Sequence, residues 1–212
     1  MNLFDRFMKG FVGSVLRFHC KVIYRLKAYG VENVPKEGNI IFCGNHRTLN
    51  DAFFIYFTAP RDMRFMAKEE LSHNKFFAYL GKIFNVIFVK RDSKDLTAIK
   101  TSLKTLKAGD CLGIFPEGTR NGLEKNDGQI KNGAAYLALK TDSTIIPIGI
   151  VGGNKPFRKS YIFYGKPIEM SDFKFEGKVG EKEEQEVSDR LKAEIISLST
   201  QNVKMLGSQK KK

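Results

Sequence analysis

Cysteine is scarce in this 212-residue sequence, and its placement argues against two kinds of cross-link. Cys20, Cys43 and Cys111 are odd in number, scattered along the chain and never in CxxC spacing. We therefore expect neither a disulfide framework nor a cysteine-based zinc site, and the pattern favours a reducing compartment. Cys43 lies three residues before His46, which permits a Cys/His nucleophile, but a buried core thiol is the commoner role of cysteine.

Long apolar runs are missing as well. No uninterrupted apolar stretch approaches the ~20 residues that a helix needs to cross a bilayer. The N-terminus lacks the compact apolar core and the small-residue cleavage site of a signal peptide. We expect the protein to stay on the side of the membrane where it is made.

Several ligand-binding signatures are absent too. No His, Cys, Asp and Glu residues cluster with the spacing of metal ligands, and His19 and His73 stand isolated, so we expect no metal and no cofactor. The glycine-rich patterns of dinucleotide and nucleotide binding do not occur. The absence of G-x-S-x-G argues against a lipid hydrolase.

Acidic residues are outnumbered by basic ones. The chain has 36 Lys and Arg against 23 Asp and Glu, which gives a net charge of +13. Such a surplus indicates a polyanionic partner: an anionic membrane, a phosphorylated substrate, an acidic carrier protein or nucleic acid. The charge alone does not choose among these.

Short apolar segments alternate with amphipathic ones along most of the chain, and 42% of the residues are hydrophobic. This alternation predicts one α/β domain with a largely parallel or mixed β-sheet flanked by helices. The predicted strands cover residues 40–43, 86–89, 111–115, 145–151 and 161–164. The predicted helices cover residues 52–58, 68–82, 95–108, 134–140 and about 182–199, with a loose basic tail at 207–212.

Residues 1–28 form a separate amphipathic segment before the domain of residues 29–212. At 100° per residue one face is apolar and the other is basic, with Asp5 as the only acid. We expect Gly10 and Gly13 to bend or split this helix. It suits an in-plane interfacial helix on an anionic membrane, or an ordinary helix docked on its own domain. The apolar face comprises Phe4, Phe7, Phe11, Val15, Phe18, Val22 and Leu26, and the basic face comprises Arg6, Lys9, Arg17, Lys21, Arg25 and Lys27.

A histidine and an aspartate follow the first strong strand, in the segment NHRTLND at residues 45–51. Histidine suits proton transfer near neutral pH, and a carboxylate on its second ring nitrogen would fix the tautomer. Five residues of continuous helix would set His46 and Asp51 about 140° apart, so the two meet only if the segment turns from loop into helix. The alternative is an exposed histidine beside a helix-capping aspartate.

A second polar segment, FPEGTR at residues 115–120, also follows a buried strand. Open α/β sheets bind ligands at the carboxyl ends of their strands, and Arg120 could hold a phosphate through two hydrogen bonds. The alternative is a tight turn with a local Glu–Arg pair.

Together these segments resemble the glycerolipid acyltransferase family that makes phosphatidate from lysophosphatidate. VIFVKR at residues 86–91 and IPIGI at 146–150 resemble the second and fourth motifs of that family, and all four blocks occur in order between residues 40 and 151. RFMAKEEL at 64–71 and KNGAA at 131–135 resemble the stretches that follow the first and third motifs.

The resemblance implies that His46 is the general base and that Asp51 orients it, with no covalent acyl-enzyme. It also implies an acyl thioester co-substrate, from acyl-carrier protein or acyl-CoA, and the sn-2 hydroxyl of lysophosphatidate as acceptor. The cytoplasmic face of the cell membrane is the expected location. The residues that would bind substrate are Lys68, Arg91, Glu117, Gly118, Thr119 and Arg120.

Three departures from the family pattern concern Thr48, where serine is usual, Asn85, where glycine is usual, and the pair Leu49-Asn50. Thr48 keeps a hydroxyl, and asparagine tolerates positive φ better than most residues. The Leu49-Asn50 pair leaves the acceptor open between lysophosphatidate, glycerol 3-phosphate, dihydroxyacetone phosphate and another lysolipid. A basic nucleic-acid-binding protein is the alternative from another class, although no nucleic-acid signature is present.

Overall fold

A mixed sheet runs through the centre of the molecule in the computed structural model, which describes residues 2–90, 95–121, 129–152, 155–175 and 180–208, with side chains as far as residue 200. Within these ranges the sheet has seven strands, in the order β1-β7-β6-β2-β5-β3-β4. They are β1 (Lys27–Tyr29), β2 (Ile40–Gly44), β3 (Met63–Lys68), β4 (Ile87–Val89), β5 (Cys111–Ile114), β6 (Thr144–Val151) and β7 (Tyr161–Tyr164).

Five neighbouring strands, β6, β2, β5, β3 and β4, run parallel to one another. At one edge β7 pairs antiparallel to β6, and β1 pairs parallel to β7. All five residues of β2 are buried, as expected for a parallel strand covered on both faces. The predicted α/β class with a largely parallel sheet is confirmed.

Helices cover both faces of this sheet. One hydrophobic cluster packs α4, α5 and α6 on one face, and the other cluster packs the N-terminal segment and α2 on the opposite face. The helices are α1 (Leu3–Phe18), α2 (Asn50–Thr58), α3 (Lys75–Ile83), α4 (Leu96–Lys107), α5 (Gly133–Thr141) and α6 (Glu181–Ser208). After α3, Asn85 has φ of +53°, so it takes the conformation predicted for a glycine substitute.

The predicted helix at 68–82 is wrong in its first half. Met63–Lys68 forms β3, Glu69–His73 forms a 3₁₀ turn, and α3 starts after Asn74, whose side chain accepts hydrogen bonds from two backbone N–H groups. In β3 the buried side chains of Met63 and Phe65 alternate with less buried ones, a period-2 pattern too short to be recognised in the sequence.

The ends of the chain also differ from the prediction. α1 runs unbroken through Gly10 and Gly13, continues as a π-helical turn at His19–Ile23, and Lys27 already belongs to β1. A Cβ added at Gly13 would lie 4.0 Å from the ring of Phe57, so α1 passes close to α2 at this point. At the other end the last helix extends to Ser208, so residues 207 and 208 are helical, and the rest of the predicted tail lies outside the described residues.

Candidate active site

The two polar segments meet because β2 and β5 are parallel neighbours. Cys43 lies opposite Ile114 in this pairing, so His46 and Glu117, each three residues further on, reach the same level. The backbone N–H of His46 donates to Glu117 Oε1 at 2.8 Å, and the N–H of Asn121 donates to the carbonyl of His46 at 2.6 Å. The two loops are therefore fixed to each other by hydrogen bonds.

His46 and Asp51 are in contact, with 3.2 Å between Nδ1 of the ring and Oδ2 of the carboxylate. Asp51 is fully buried, and its side chain also accepts hydrogen bonds from the backbone N–H groups of Arg47 and Thr48 and from the Thr48 hydroxyl. The chain turns from loop into helix between the two residues, as the pairing requires. A carboxylate on Nδ1 favours the tautomer that leaves Nε2 as the basic nitrogen.

An aromatic ring supports the other side of His46. The ring of Phe115 stacks on the imidazole with 4.1 Å between centroids, and Phe65 stacks on Phe115 in turn. Gly113 leaves room for this arrangement, since a Cβ there would lie 2.5 Å from the Phe65 ring. The imidazole is thus held between a carboxylate and an aromatic stack, with only 14% of its side chain exposed.

Asn45 anchors the residue before the histidine. Its buried side-chain amide donates to the carbonyl of Ile150 at 3.0 Å and accepts from the N–H of Ile150 at 2.6 Å. The amide thereby continues the β2–β6 pairing beyond Gly44, where the backbone leaves the sheet. Sequence reasoning missed Asn45 and Phe115 as positioning residues, although each directly adjoins a recognised motif residue.

A cavity of about 410 Å³ opens beside the imidazole. His46, Lys68, Thr119 and Arg120 contribute polar or charged groups to its wall. Most of the remaining wall is apolar or aromatic, and it includes Phe53, Tyr56, Leu71, Phe77, Leu80 and Phe84. A basic nitrogen, two cations and an apolar chamber therefore share one space, which suits a substrate with an anionic end and a long apolar end.

Comparison with known proteins agrees with this geometry. The sequence profile of the acyltransferase family matches residues 25–151, which include both loops and the strands that carry them. The chain belongs to the acyltransferase family.

Named relatives are similar over more than half of this chain. The chain is 35% identical to the 1-acyl-sn-glycerol-3-phosphate acyltransferase of Borreliella burgdorferi over 137 residues, covering 63% of this chain and 54% of that protein. It is 28% identical to the enzyme of that name from Bacillus subtilis over 172 residues, covering 78% and 85%. The chain thus spans about half the length of the Borreliella relative and most of the Bacillus one.

A solved structure shares the fold. The 1-acyl-sn-glycerophosphate (LPA) acyltransferase PlsC from Thermotoga maritima superposes with a TM-score of 0.63 at 25% sequence identity, covering 90% of this chain and 80% of that one.

The predicted substrate-binding residues of this acyltransferase fall into two groups. Lys68, Thr119 and Arg120 line the cavity, and the Lys68 ammonium lies 2.6 Å from a Glu70 carboxylate oxygen. Glu117 is buried and holds the His46 backbone instead. Gly118 has φ of +67°, and a Cβ there would lie 2.8 Å from the Lys131 side chain, so it supplies the turn and the space. Arg91 lies outside the described residues.

The Cys/His alternative finds no support in the acyltransferase structure. Cys43 is fully buried in β2 and belongs to the hydrophobic cluster beneath α4, α5 and α6. Burial raises the pKa of its thiol far above the ordinary value, so the nucleophilic thiolate is scarce near neutral pH. Within the described ranges no group of three or more His, Cys, Asp and Glu side chains is arranged to hold a metal ion.

The N-terminal segment has one docked and one uncovered face. The buried Asp5 lies 2.8 Å from the Lys82 ammonium and accepts from the Tyr79 hydroxyl, while Cys20 and Tyr24 are buried in the core. The opposite face leaves large side chains more than half exposed: Phe4, Phe7, Phe11, Val15 and Phe18. The segment therefore docks on its own domain and also presents an apolar surface. None of the described helices is long and apolar enough to cross a membrane.

Proposed function

We propose that this acyltransferase moves a fatty acyl group from an acyl thioester to the free sn-2 hydroxyl of lysophosphatidate, which gives phosphatidate. The observation that carries the proposal is the His46–Asp51 pair at an apolar cavity that also holds Lys68 and Arg120. Relatives named for this reaction support the acceptor.

In the proposed reaction His46 Nε2 takes the proton of the acceptor hydroxyl while its oxygen attacks the thioester carbonyl. The new C–O ester bond forms, the C–S bond breaks, and the departing thiolate receives the proton from the imidazolium. Asp51 holds the tautomer and stabilises the imidazolium, as its contact with Nδ1 allows. A thioester is already activated, so the step requires no enzyme nucleophile, and a general base contributes roughly 10²–10⁴ in rate.

The phosphate of the acceptor would lie between Lys68 and Arg120, with the Thr119 hydroxyl nearby. A phosphate monoester carries about −1.5 to −2 charges near neutral pH, so it gains more from two cations than a zwitterionic headgroup does. Arg91 belongs to this proposed site on its sequence motif alone. Glu117 and Gly118 would contribute indirectly, by fixing His46 and the loop that carries Arg120.

The acyl chain would occupy the apolar part of the cavity. Phe53, Phe77 and Phe84 line this part, whereas Phe54 is fully buried in the core. Burial raises the pKa of the Tyr56 hydroxyl to about 12, so this wall residue stays uncharged near neutral pH.

The uncovered face of α1 supports binding to an anionic membrane on its cytoplasmic side. Apolar rings would enter the lipid while Arg17, Lys21 and Arg25 meet headgroups, each contributing roughly 1 kcal/mol. Changing Phe4, Phe7, Phe11 and Val15 to Ser should move the protein from vesicles into solution. Equal pelleting of the variant and the parent with anionic vesicles would refute this role.

The deciding experiment is an assay of purified protein with acyl-carrier protein and CoA thioesters against a panel of acceptors. We expect lysophosphatidate to be used far better than glycerol 3-phosphate, lysophosphatidylcholine or monoacylglycerol. Preference for another acceptor would keep the mechanism and change the substrate. Salt-dependent DNA binding without acyl transfer would favour the nucleic-acid alternative.

A further inference from the structure

The loop between β6 and β7 displays a phenylalanine that neither packing nor backbone preference explains. Phe157 is 71% exposed, and its φ of +59° lies in the left-handed region that favours glycine. A bulky residue with positive φ is a genuine outlier, and an exposed ring gains little from packing. Such outliers occur where a function retains them.

Hydrogen bonds attach this loop to the end of the N-terminal segment. The N–H of Phe157 donates to the carbonyl of Ile23 at 2.7 Å, and the N–H of Ser160 donates to that of Tyr24 at 2.9 Å. The next residues back along the segment include Val22 and Phe18, which are both exposed. The backbone of Phe157 is therefore held to the end of the segment that carries the uncovered apolar face.

The charged residues on either side of Phe157 in the sequence are all basic. Lys155, Arg158 and Lys159 are exposed, and in the described part of the chain none of the three takes part in an ion pair. The sequence contains no acidic residue between Asp142 and Glu169. An exposed aromatic ring among cations suits the interface of an anionic bilayer, where the ring enters the lipid and the cations meet headgroups.

The position of the loop connects it to the reaction. β6 runs parallel to β2, so the loop leaves the sheet at the edge where His46 follows β2, and Asn45 is bonded to Ile150 of β6. A helix lying in the membrane plane can still rotate about its own axis. A second contact beside it would fix that rotation and hold the carboxyl edge of the sheet toward the lipid.

We infer that residues 155–159 form a second membrane contact, in which Phe157 inserts and Lys155, Arg158 and Lys159 bind anionic headgroups. This inference rests on the proposed membrane role of residues 1–28, and it assigns the new contact to a different part of the chain.

The chain contains no tryptophan, so single-tryptophan variants report directly on each position. Phe157→Trp tests the loop, Phe18→Trp tests the N-terminal segment, and Ile196→Trp on α6 is a control on the other face of the sheet. With phosphatidylglycerol vesicles that carry bromine on the acyl chains, we expect quenching and a blue shift for the first two variants only. Quenching of Phe18→Trp alone would overturn the loop contact and leave the segment. Quenching of neither would overturn both.

A second pair of variants tests the charges. Changing Lys155, Arg158 and Lys159 to Gln should weaken binding to anionic vesicles at least tenfold. The matched control changes Lys100, Lys104 and Lys107 to Gln, which removes the same charge from exposed positions on α4 at the other face. Equal weakening by both variants would show that only net charge matters and would overturn the local contact.

Phe157→Gly separates a membrane role from a folding role. Glycine accepts the positive φ, so the melting temperature should stay the same or rise, while vesicle affinity should fall about tenfold. Unchanged vesicle affinity would overturn the inference, and a lower melting temperature beside it would assign the ring to the fold.

Discussion

The two loops at the ends of β2 and β5 differ in how their polar groups are satisfied. In the first, the buried Asp51 already accepts hydrogen bonds from the loop around it, and the Asn45 amide is paired in both directions with Ile150. In the second, Glu117 is buried and bonded to the neighbouring loop, whereas Thr119 and Arg120 are exposed at the cavity.

The first loop is therefore held in its final arrangement by the protein itself, whereas the second leaves groups available to bind a substrate. In the loop around His46, the Asn45 and Asp51 side chains already have hydrogen-bond partners within the protein, so no substrate is needed to hold the loop in place. In the loop that carries Arg120, Glu117 is held by a hydrogen bond to the neighbouring loop, whereas Thr119 and Arg120 face the space that a substrate would fill. Changes at Asp51, which holds the first loop together, should therefore affect both stability and turnover, and changes at Arg120 should affect binding alone.

The largest effect is expected from His46→Ala. Loss of a general base lowers turnover by about 10²–10⁴, and the fold should persist because the carboxylate of Asp51 keeps its three hydrogen bonds from Arg47 and Thr48. Steady-state kinetics and thermal melting measure the two quantities. Near-normal turnover in a folded variant would refute the mechanism.

Asp51→Asn should impair turnover nearly as much and should also weaken the fold. An amide has one acceptor oxygen where the carboxylate has two, so buried donors at Arg47, Thr48 and His46 lose partners, at about 1–3 kcal/mol. Denaturant unfolding gives the free energy, and single-turnover kinetics give the rate. Loss of turnover at full stability would limit Asp51 to tautomer control.

Arg120→Ala should weaken the binding of the acceptor and leave the stability of the fold unchanged. We expect the KM for lysophosphatidate to rise by roughly thirtyfold, at the low end of the 2–5 kcal/mol lost on truncating a charged pair. The KM for the thioester and the melting temperature should hardly change. Lys100→Ala, on the other face of the sheet, is the matched control. A stable Arg120→Ala enzyme with parental lysophosphatidate kinetics would remove the phosphate site.

A smaller effect is expected at Thr48, whose hydroxyl donates to Asp51 Oδ1 at 2.9 Å. Thr48→Ser keeps this donor and should match the parent. Thr48→Val keeps the shape and loses the hydrogen bond, which should reduce the free energy of unfolding by about 1 kcal/mol and lower turnover. If valine and serine behave alike, the hydroxyl has no part in holding Asp51.

The smallest expected effect is that of thiol reagents, which should not inactivate the native enzyme. Burial raises the pKa of all three thiols, that of Cys20 to about 11, so the reactive thiolate stays a minor form at pH 8 and increases only as the pH rises toward these values. Mass spectrometry after iodoacetamide, with and without denaturant, measures this. Inactivation with one label on Cys43 would restore the nucleophile alternative.

Sequence patterns predicted the elements that have one clear periodicity. The apolar run of β2, the helix around Leu106 and the buried series Val187, Leu191 and Ile195 all have the predicted type. β3 was missed because its burial alternates over only a few residues while its apolar residues do not, and β1 because three edge residues carry little pattern. The role of Glu117 was also beyond a linear pattern, since its partner is the backbone of a residue 71 positions away.

The sequence by itself determined which residues are available for chemistry: a histidine and an aspartate five positions apart, and a glycine-threonine-arginine turn after a strand. It also determined that one face of the first helix is apolar. Tertiary structure alone decided that β2 and β5 are neighbours in a register that levels His46 with Glu117, and that Phe115 stacks on the imidazole. Strand order and register depend on how two helical layers bury both faces of the sheet at once, and such long-range packing is not encoded in any single stretch of the chain.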